Sequence, residues 1–174
     1  SQEALDNAEW KKVITAIEKS LTDVMNFRRV EGKVLQKDMG MRIHIIEQKL
    51  AEIKKFEKKR IEKLRTKFLK ELDGLKNTSN HPVNKDRFEQ ELIYYIEKMD
   101  ITEEKVRLTS HCRYFLKMMN ENASNGKKLG FIAQEIGREI NTIGSKANDA
   151  DIQKLVVEMK DELEKIKEQS ANVL

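Results

Sequence analysis

Gly126-Lys-Lys-Leu-Gly-Phe-Ile-Ala-Gln-Glu-Ile-Gly-Arg-Glu-Ile-Asn-Thr-Ile-Gly-Ser-Lys146 sorts apolar from polar residues at helical spacing. At about 100° per residue, Leu129, Ile132, Ile136, Ile140 and Ile143 fall on one narrow stripe, the mark of a helix facing a core. Lys128, Phe131, Glu135, Arg138, Glu139, Thr142 and Lys146 form a second arc beside it, with Gln134 and Asn141 further round. Two carboxylates, two lysines, a guanidinium and amides suit a hydrated divalent cation and a phosphate together, as metal-assisted phosphodiester cleavage requires. The same groups suit ordinary surface ion pairs, Glu135 with Arg138 or Glu139 with Lys146, and pattern alone favours that solvated face.

Outward from this stretch the chain reads as helical throughout. Its 174 residues carry 37% charged and 6% aromatic side chains, with one proline and seven glycines, which favours long helices over sheets. Three-and-four spacing runs from Leu5 through Trp10, Val13, Ile14, Ile17, Leu21 and Val24, then Val34, Met39, Ile43, Ile46, Leu50, Ile53, Ile61, Leu64, Phe68 and Leu72. A helix of that length needs its stripe covered by another helix, from this chain or a neighbour. Gly32 and Gly40 lie inside it as places for a kink or a close crossing, and a break near 27–32 into two helices is the alternative. The turn-rich stretch 77–84, with Pro82, ends this arm. A second helix is expected from Asn84 to Met99 with Phe88, Leu92, Ile93 and Ile96 inward. A third opens at Asp100 with Glu103 as a capping box and ends near Asn122. After a loop at 120–126 comes the quoted helix, then a last one carrying Ile152, Leu155, Val156, Met159, Leu163 and Ile166. The predicted fold class is all-α, an elongated helical bundle with a long coiled-coil-like N-terminal helix or helix pair. Its expected parts are an arm over 1–76, a turn over 77–84 and a C-terminal helical domain over 85–174.

Net charge is +4, but residues 54–70 hold nine Lys or Arg against Glu57 and Glu62, so the basicity is local. That run either solvates a helix or contacts phosphates, with Arg28, Arg29 and Arg42 extending it, and phosphate contact is the favoured reading. The single cysteine, Cys112, cannot form an internal disulfide and fits a reduced, cytoplasmic compartment. No apolar run approaches the ~18 residues of a membrane span, and no small-molecule organic cofactor is implied, because no Gly-rich phosphate loop follows a strand. Glu104, Arg107 and His111 stack on one face beside the apolar edge of Leu108, Cys112 and Phe115. A histidine at such a border reads first as a hydrogen-bonded boundary residue. Should this face meet Glu135 and Glu139, a histidine and carboxylates would suit Mn2+ or Mg2+. Phe131, Tyr94 and Tyr114 are expected to pack, and His44 and His81 carry no partner pattern.

The quoted stretch, with Gly-Lys-Lys-Leu, Phe131, Gln134-Glu135, Arg138-Glu139, Asn141-Thr142 and Ser145-Lys146, closely resembles the C-terminal signature of the bacterial YicC/YloC family. The likeness extends through Arg87-Phe-Glu-Gln-Glu91, Asp100-Ile-Thr-Glu-Glu104, Arg107-Leu, Ser110-His111 and Phe115, and on to Lys160 and Glu168-Gln169. Gly130 and Gly137 depart from the family pattern, which usually has aspartate and asparagine there. The resemblance implies an oligomeric, metal-dependent endoribonuclease acting on single-stranded or small regulatory RNA. Glu104, His111, Glu135 and Glu139 would then be catalytic and hold the cation. Arg107, Lys127, Lys128, Gln134, Arg138, Asn141 and Lys146 would contact RNA. The family carries a further domain ahead of these helices that this sequence lacks, so a piece of a longer protein is expected. The alternative is a non-catalytic RNA-binding or oligomerisation scaffold.

Overall fold

The computed structural model describes residues 7–78, 85–121 and 126–171, and these form five α-helices with no strand among them. They are α1 (Asn7–Thr78), α2 (Lys85–Lys98), α3 (Thr102–Met119), α4 (Gly126–Ala147) and α5 (Ala150–Ala171). Leu5, His81, Pro82 and positions 122–125 lie outside the described residues. α1 is unbroken at 27–32, so the two-helix alternative is set aside. The described chain divides into two compact units at Met39/Gly40.

In the first unit the stripe expected to be covered is open. Trp10, Ile17, Leu21 and Val24 are each at least half exposed, and Val13 and Ile14 only slightly less so. The second unit holds the core. Ile43, Ile46, Leu50 and Ile53 of α1 are buried with Leu108, Cys112 and Phe115 of α3, the isoleucine edge of α4, and Ile152, Val156, Met159, Leu163 and Ile166 of α5. Each such side chain is worth about 1.5–3 kcal/mol when fully removed from water. The ion pairs joining α1 to its neighbours add far less, since exposed pairs contribute about 0.2–1 kcal/mol. They do fix register: Arg42 with Glu162 at 3.0 Å, Lys49 with Glu158 at 2.6 Å, and Lys105 with Glu57. Ile61, expected inward, is 40% exposed, because the apolar cover of α1 stops near Ile53. Gly40 marks a close approach to α3: a Cβ there would meet Met119 Cε at 3.4 Å.

α4 and α5 approach through glycine. A methyl group on Gly137 would meet Leu163 Cδ2 at 3.1 Å, and one on Gly144 would meet Val156 Cγ1 at 3.1 Å. The two helices then reverse over Asn148 and Asp149, with Asn148 in the left-handed region at φ 45°. Asp149 opens α5 by accepting the backbone N–H of Asp151 at 3.0 Å and of Ile152 at 3.3 Å, and its other oxygen accepts Lys63 Nζ at 3.2 Å. Burial alone would raise this carboxyl, but the Ile152 N–H, the Lys63 ammonium and the Asp151 N–H outweigh it and hold it below the usual aspartate range.

Arg60 is the one basic-run residue that is buried rather than solvated or free to reach a phosphate. Its Nη1 donates to Ala147 O at 3.1 Å and its Nη2 to Met99 O at 2.9 Å. A guanidinium therefore sits against carbonyls at the C-terminal ends of α2 and α4, where the helix dipoles favour positive charge. Burial pushes it below its ordinary pKa, though arginine stays protonated in proteins.

Two further sequence expectations about local structure fail. Asp100 and Glu103 do not form a capping box. Ile101 occupies the N-cap position, Asp100 Oδ1 accepts Thr102 N at 3.0 Å and Thr102 Oγ1 at 2.7 Å, and Glu103 instead binds Arg107 one turn on. Ile93 of α2 is 57% exposed, not inward, and α2 meets α1 through Phe88 and Tyr95 against the half-buried Phe68.

Gly144→Val should lower stability by about 1–3 kcal/mol through overpacking, whereas Gly32→Ala, with nothing within 4 Å, should gain up to about 1 kcal/mol of helix propensity. Urea unfolding followed by circular dichroism checks both. Asp149→Ala should cost about 0.5–2 kcal/mol near neutral pH. Because the folded-state pKa of Asp149 is depressed, its contribution is complete above about pH 4 and disappears as pH falls through the folded value, so wild type and variant should converge in acid.

Candidate active site on the α3/α4 face

α3 and α4 pack side by side, and their polar edges meet. Lys146 Nζ of α4 donates to Glu104 Oε1 of α3 at 2.7 Å. Further along, Arg107 Nη1 of α3 lies 3.8 Å from Glu139 Oε1 of α4. Beyond that, Lys128 Nζ stands 5.9 Å from the Tyr114 ring centroid, a cation–π contact. The three contacts run antiparallel along one seam. His111 and Glu135 occupy its middle by position, between the Arg107/Glu139 and Tyr114/Lys128 contacts, and both are half-buried.

The seam buries two carboxylates and leaves its cations at the surface. Glu104 retains 4% exposure and Glu139 7%. Burying a carboxylate is costly unless it is paired, and Glu104 is paired on one side only: Oε2 is buried without a hydrogen-bond partner. The Arg107 guanidinium is raised above its ordinary pKa, first by its bond to Glu103, with Glu139 and Glu104 adding to the effect. One guanidinium thus feels the carboxylates of both helices.

Of the residues predicted for the site, Glu104, Arg107, His111, Lys128, Glu135, Glu139 and Lys146 border this seam, while the pairing of Glu139 with Lys146 suggested by spacing does not occur. Glu135 does pair with Arg138, at 2.8 Å. Lys127, Gln134, Arg138 and Asn141 are exposed on the outward side of α4, beside the seam and not within it. Gly130 lies round the helix from the α3 edge, so an acidic residue there would not face these carboxylates. Gly137 is spent on the contact with Leu163.

The expected ligands of a cation do not form a cage. Among the described residues no three His, Cys, Asp or Glu side chains are grouped closely enough to hold a metal ion. The donor chemistry still suits a hard cation, because Glu104 offers a buried, unsatisfied carboxylate oxygen and magnesium sites commonly use one or two carboxylates completed by substrate phosphate.

Sequence reasoning missed the aromatic exposure. Phe131 is 63% exposed, Tyr94 57% and Tyr114 40%, where packing was expected. All lie on polar or lateral arcs outside the isoleucine-type stripes, and that position was the available signal. His44, exposed, bonds Glu47 of its own helix at 3.0 Å. The basic run also has a definite face: Lys59, Lys63, Lys67 and Lys70 line a shallow 520 Å³ depression on α1 with Glu62, Thr66 and Glu71.

Residues 53–174 match the family described as Endoribonuclease YicC-like, C-terminal. The chain belongs to the YicC-like family. Within it, a protein of Clostridioides difficile (strain 630) named Probable endoribonuclease YicC is 37% identical over 164 residues, 94% of this chain and 56% of that protein. One of the same name from Haemophilus influenzae is 28% identical over 173 residues, 99% of this chain and 59% of that protein. The chain therefore spans somewhat more than half the length of these YicC-like relatives. The family match includes all three seam contacts and Arg60. No helix among the described residues is long and apolar enough to cross a membrane.

Lys146→Met should leave the Glu104 carboxylate buried without its ammonium and cost about 1–3 kcal/mol. Adding Glu104→Gln should recover part of that loss, and a double-mutant cycle in urea should show coupling of at least about 0.5 kcal/mol.

Proposed function

We propose that this chain is the helical, RNA-cleaving part of an endoribonuclease, acting on single-stranded or small regulatory RNA along the α3/α4 seam. The observation that carries this reading is the seam itself: two buried carboxylates from neighbouring helices, one with an unsatisfied oxygen, alternate with cations able to grip a phosphate. The names of the relatives support the same reaction class.

In this reading Arg107, Lys128, Arg138 and Lys146 hold the scissile phosphate and its neighbours, and their charge offsets the negative charge that grows on phosphate oxygens in the transition state. Lys127, Gln134 and Asn141 line the approach on the outward side of α4. Glu104, Glu135, Glu139 and His111 are the residues proposed to hold Mn2+ or Mg2+, which when bound supplies Lewis acidity toward the phosphate.

Oligomerisation belongs to the same reading. Trp10, Ile14, Ile17, Leu21 and Val24 follow coiled-coil spacing on an exposed helix, so a second copy is the proposed cover for that stripe. The buried free thiol of Cys112, pushed by burial up to about 12, fits the proposed cytoplasmic location. One observation favours the non-catalytic RNA-binding scaffold instead, namely that no three metal donors converge among the described residues.

Cleavage of a labelled single-stranded RNA should require Mn2+ or Mg2+, stop with EDTA, and fall by about 100-fold or more in Glu139→Gln with helicity unchanged. Glu104→Gln should also weaken Mn2+ binding measured by electron paramagnetic resonance. Salt-sensitive RNA binding without cutting would leave the scaffold reading in place.

A further inference from the structure

At one end of the seam, next to Lys146, α1, α2 and the end of α4 with Asn148 line an open 640 Å³ cavity. Phe68 and Tyr95 form one wall, their ring centroids 5.0 Å apart at an interplanar angle of 52°. Lys67, Lys98 and Lys146 line it together with Asn148. Glu71 is the only carboxylate in the lining, and it already pairs with Lys67 at 3.8 Å. Below this cavity Arg60 ties Met99 to Ala147, so two of its walls are bolted to each other. On α1 the lysine-lined depression shares Lys67 and Glu71 with the cavity, so a cationic track leads into it.

We propose that this cavity is a nucleotide subsite for single-stranded RNA, taking one base against Tyr95 and Phe68 and its phosphate among Lys67, Lys98 and Lys146. The inference rests on the RNA reading of the seam and extends it by one nucleotide. Aromatic faces beside cations are how single strands are held, because every base offers a stacking surface and each neutralised phosphate releases counterions. The volume lies within the range of small-ligand sites. A base can enter only if it is unpaired and turned away from its neighbours, so the cavity selects against duplex RNA. Asn148 and Ser145 offer an amide and a hydroxyl at the rim for the base edge or the ribose 2′-hydroxyl. Lys146 belongs to both cavity and seam, which places the next phosphate of a bound strand beside Glu104.

The test measures anisotropy of a short fluorescein-labelled single-stranded oligoribonucleotide in EDTA at several salt concentrations. Tyr95→Ala should bind about 5- to 100-fold more weakly with its salt dependence unchanged. Lys98→Ala, a surface change, should flatten the salt slope by about 0.7. Independently, adenosine monophosphate should move the Met99 methyl resonance in wild type and not in Tyr95→Leu, which keeps an apolar contact with Phe68, and the helicity of every variant is checked by circular dichroism. RNA binding untouched by either variant, with Met99 unmoved by the nucleotide, overturns the cavity and leaves the seam reading standing. Absence of RNA binding both in EDTA and with Mn2+ present, with Met99 still moved, keeps the cavity as a nucleotide site and ends the RNA reading.

Discussion

Burial of the isoleucine edge of α4 between its two neighbours is the constraint from which the rest follows. Leu129, Ile132, Ile136, Ile140 and Ile143 are all removed from water, and each contributes more than any ion pair at the rim. With that edge fixed, helix geometry leaves Lys128, Glu135, Glu139 and Lys146 at the border facing α3 and the glycines Gly137 and Gly144 at the border facing α5. One side of α4 closes tightly on aliphatic side chains. The other can approach its neighbour only by bringing charges together.

The consequence is a seam in which polar groups are present because apolar packing brought them there. Glu104 and Glu139 are carried below the surface by residues beside them in their own helices, and Lys146 and Arg107 offset the cost. The offset is incomplete at Glu104 Oε2, and a buried acceptor left unsatisfied costs about 1–3 kcal/mol. Arg60 acts on a second level. By binding carbonyls at the ends of α2 and α4 it gives the aromatic cavity a fixed relation to the seam.

The two units of the chain differ in what holds them. From Met39 to Ile53, α1 is part of a packed core; over 10–34 the same helix presents apolar side chains to solvent. Isolated helices draw little stability from propensity alone, and the apolar stripe of Trp10, Ile14, Ile17, Leu21 and Val24 is open among the described residues.

The sequence by itself determined the helices, because three-and-four spacing, the scarcity of proline and the isoleucine stripe of α4 are local properties of the chain. It also determined which residues border the core, so Glu104, His111, Glu135 and Glu139 could be named before any packing was seen, and the YicC-like motifs pointed to the same face. Only the tertiary structure decided who meets whom. Lys146 pairs across to Glu104 and not along its helix to Glu139, and Arg60 leaves the basic run for the interior. Phe68 and Tyr95 come together from 27 positions apart. Such pairings depend on the relative placement of whole helices, to which single-helix periodicity is blind.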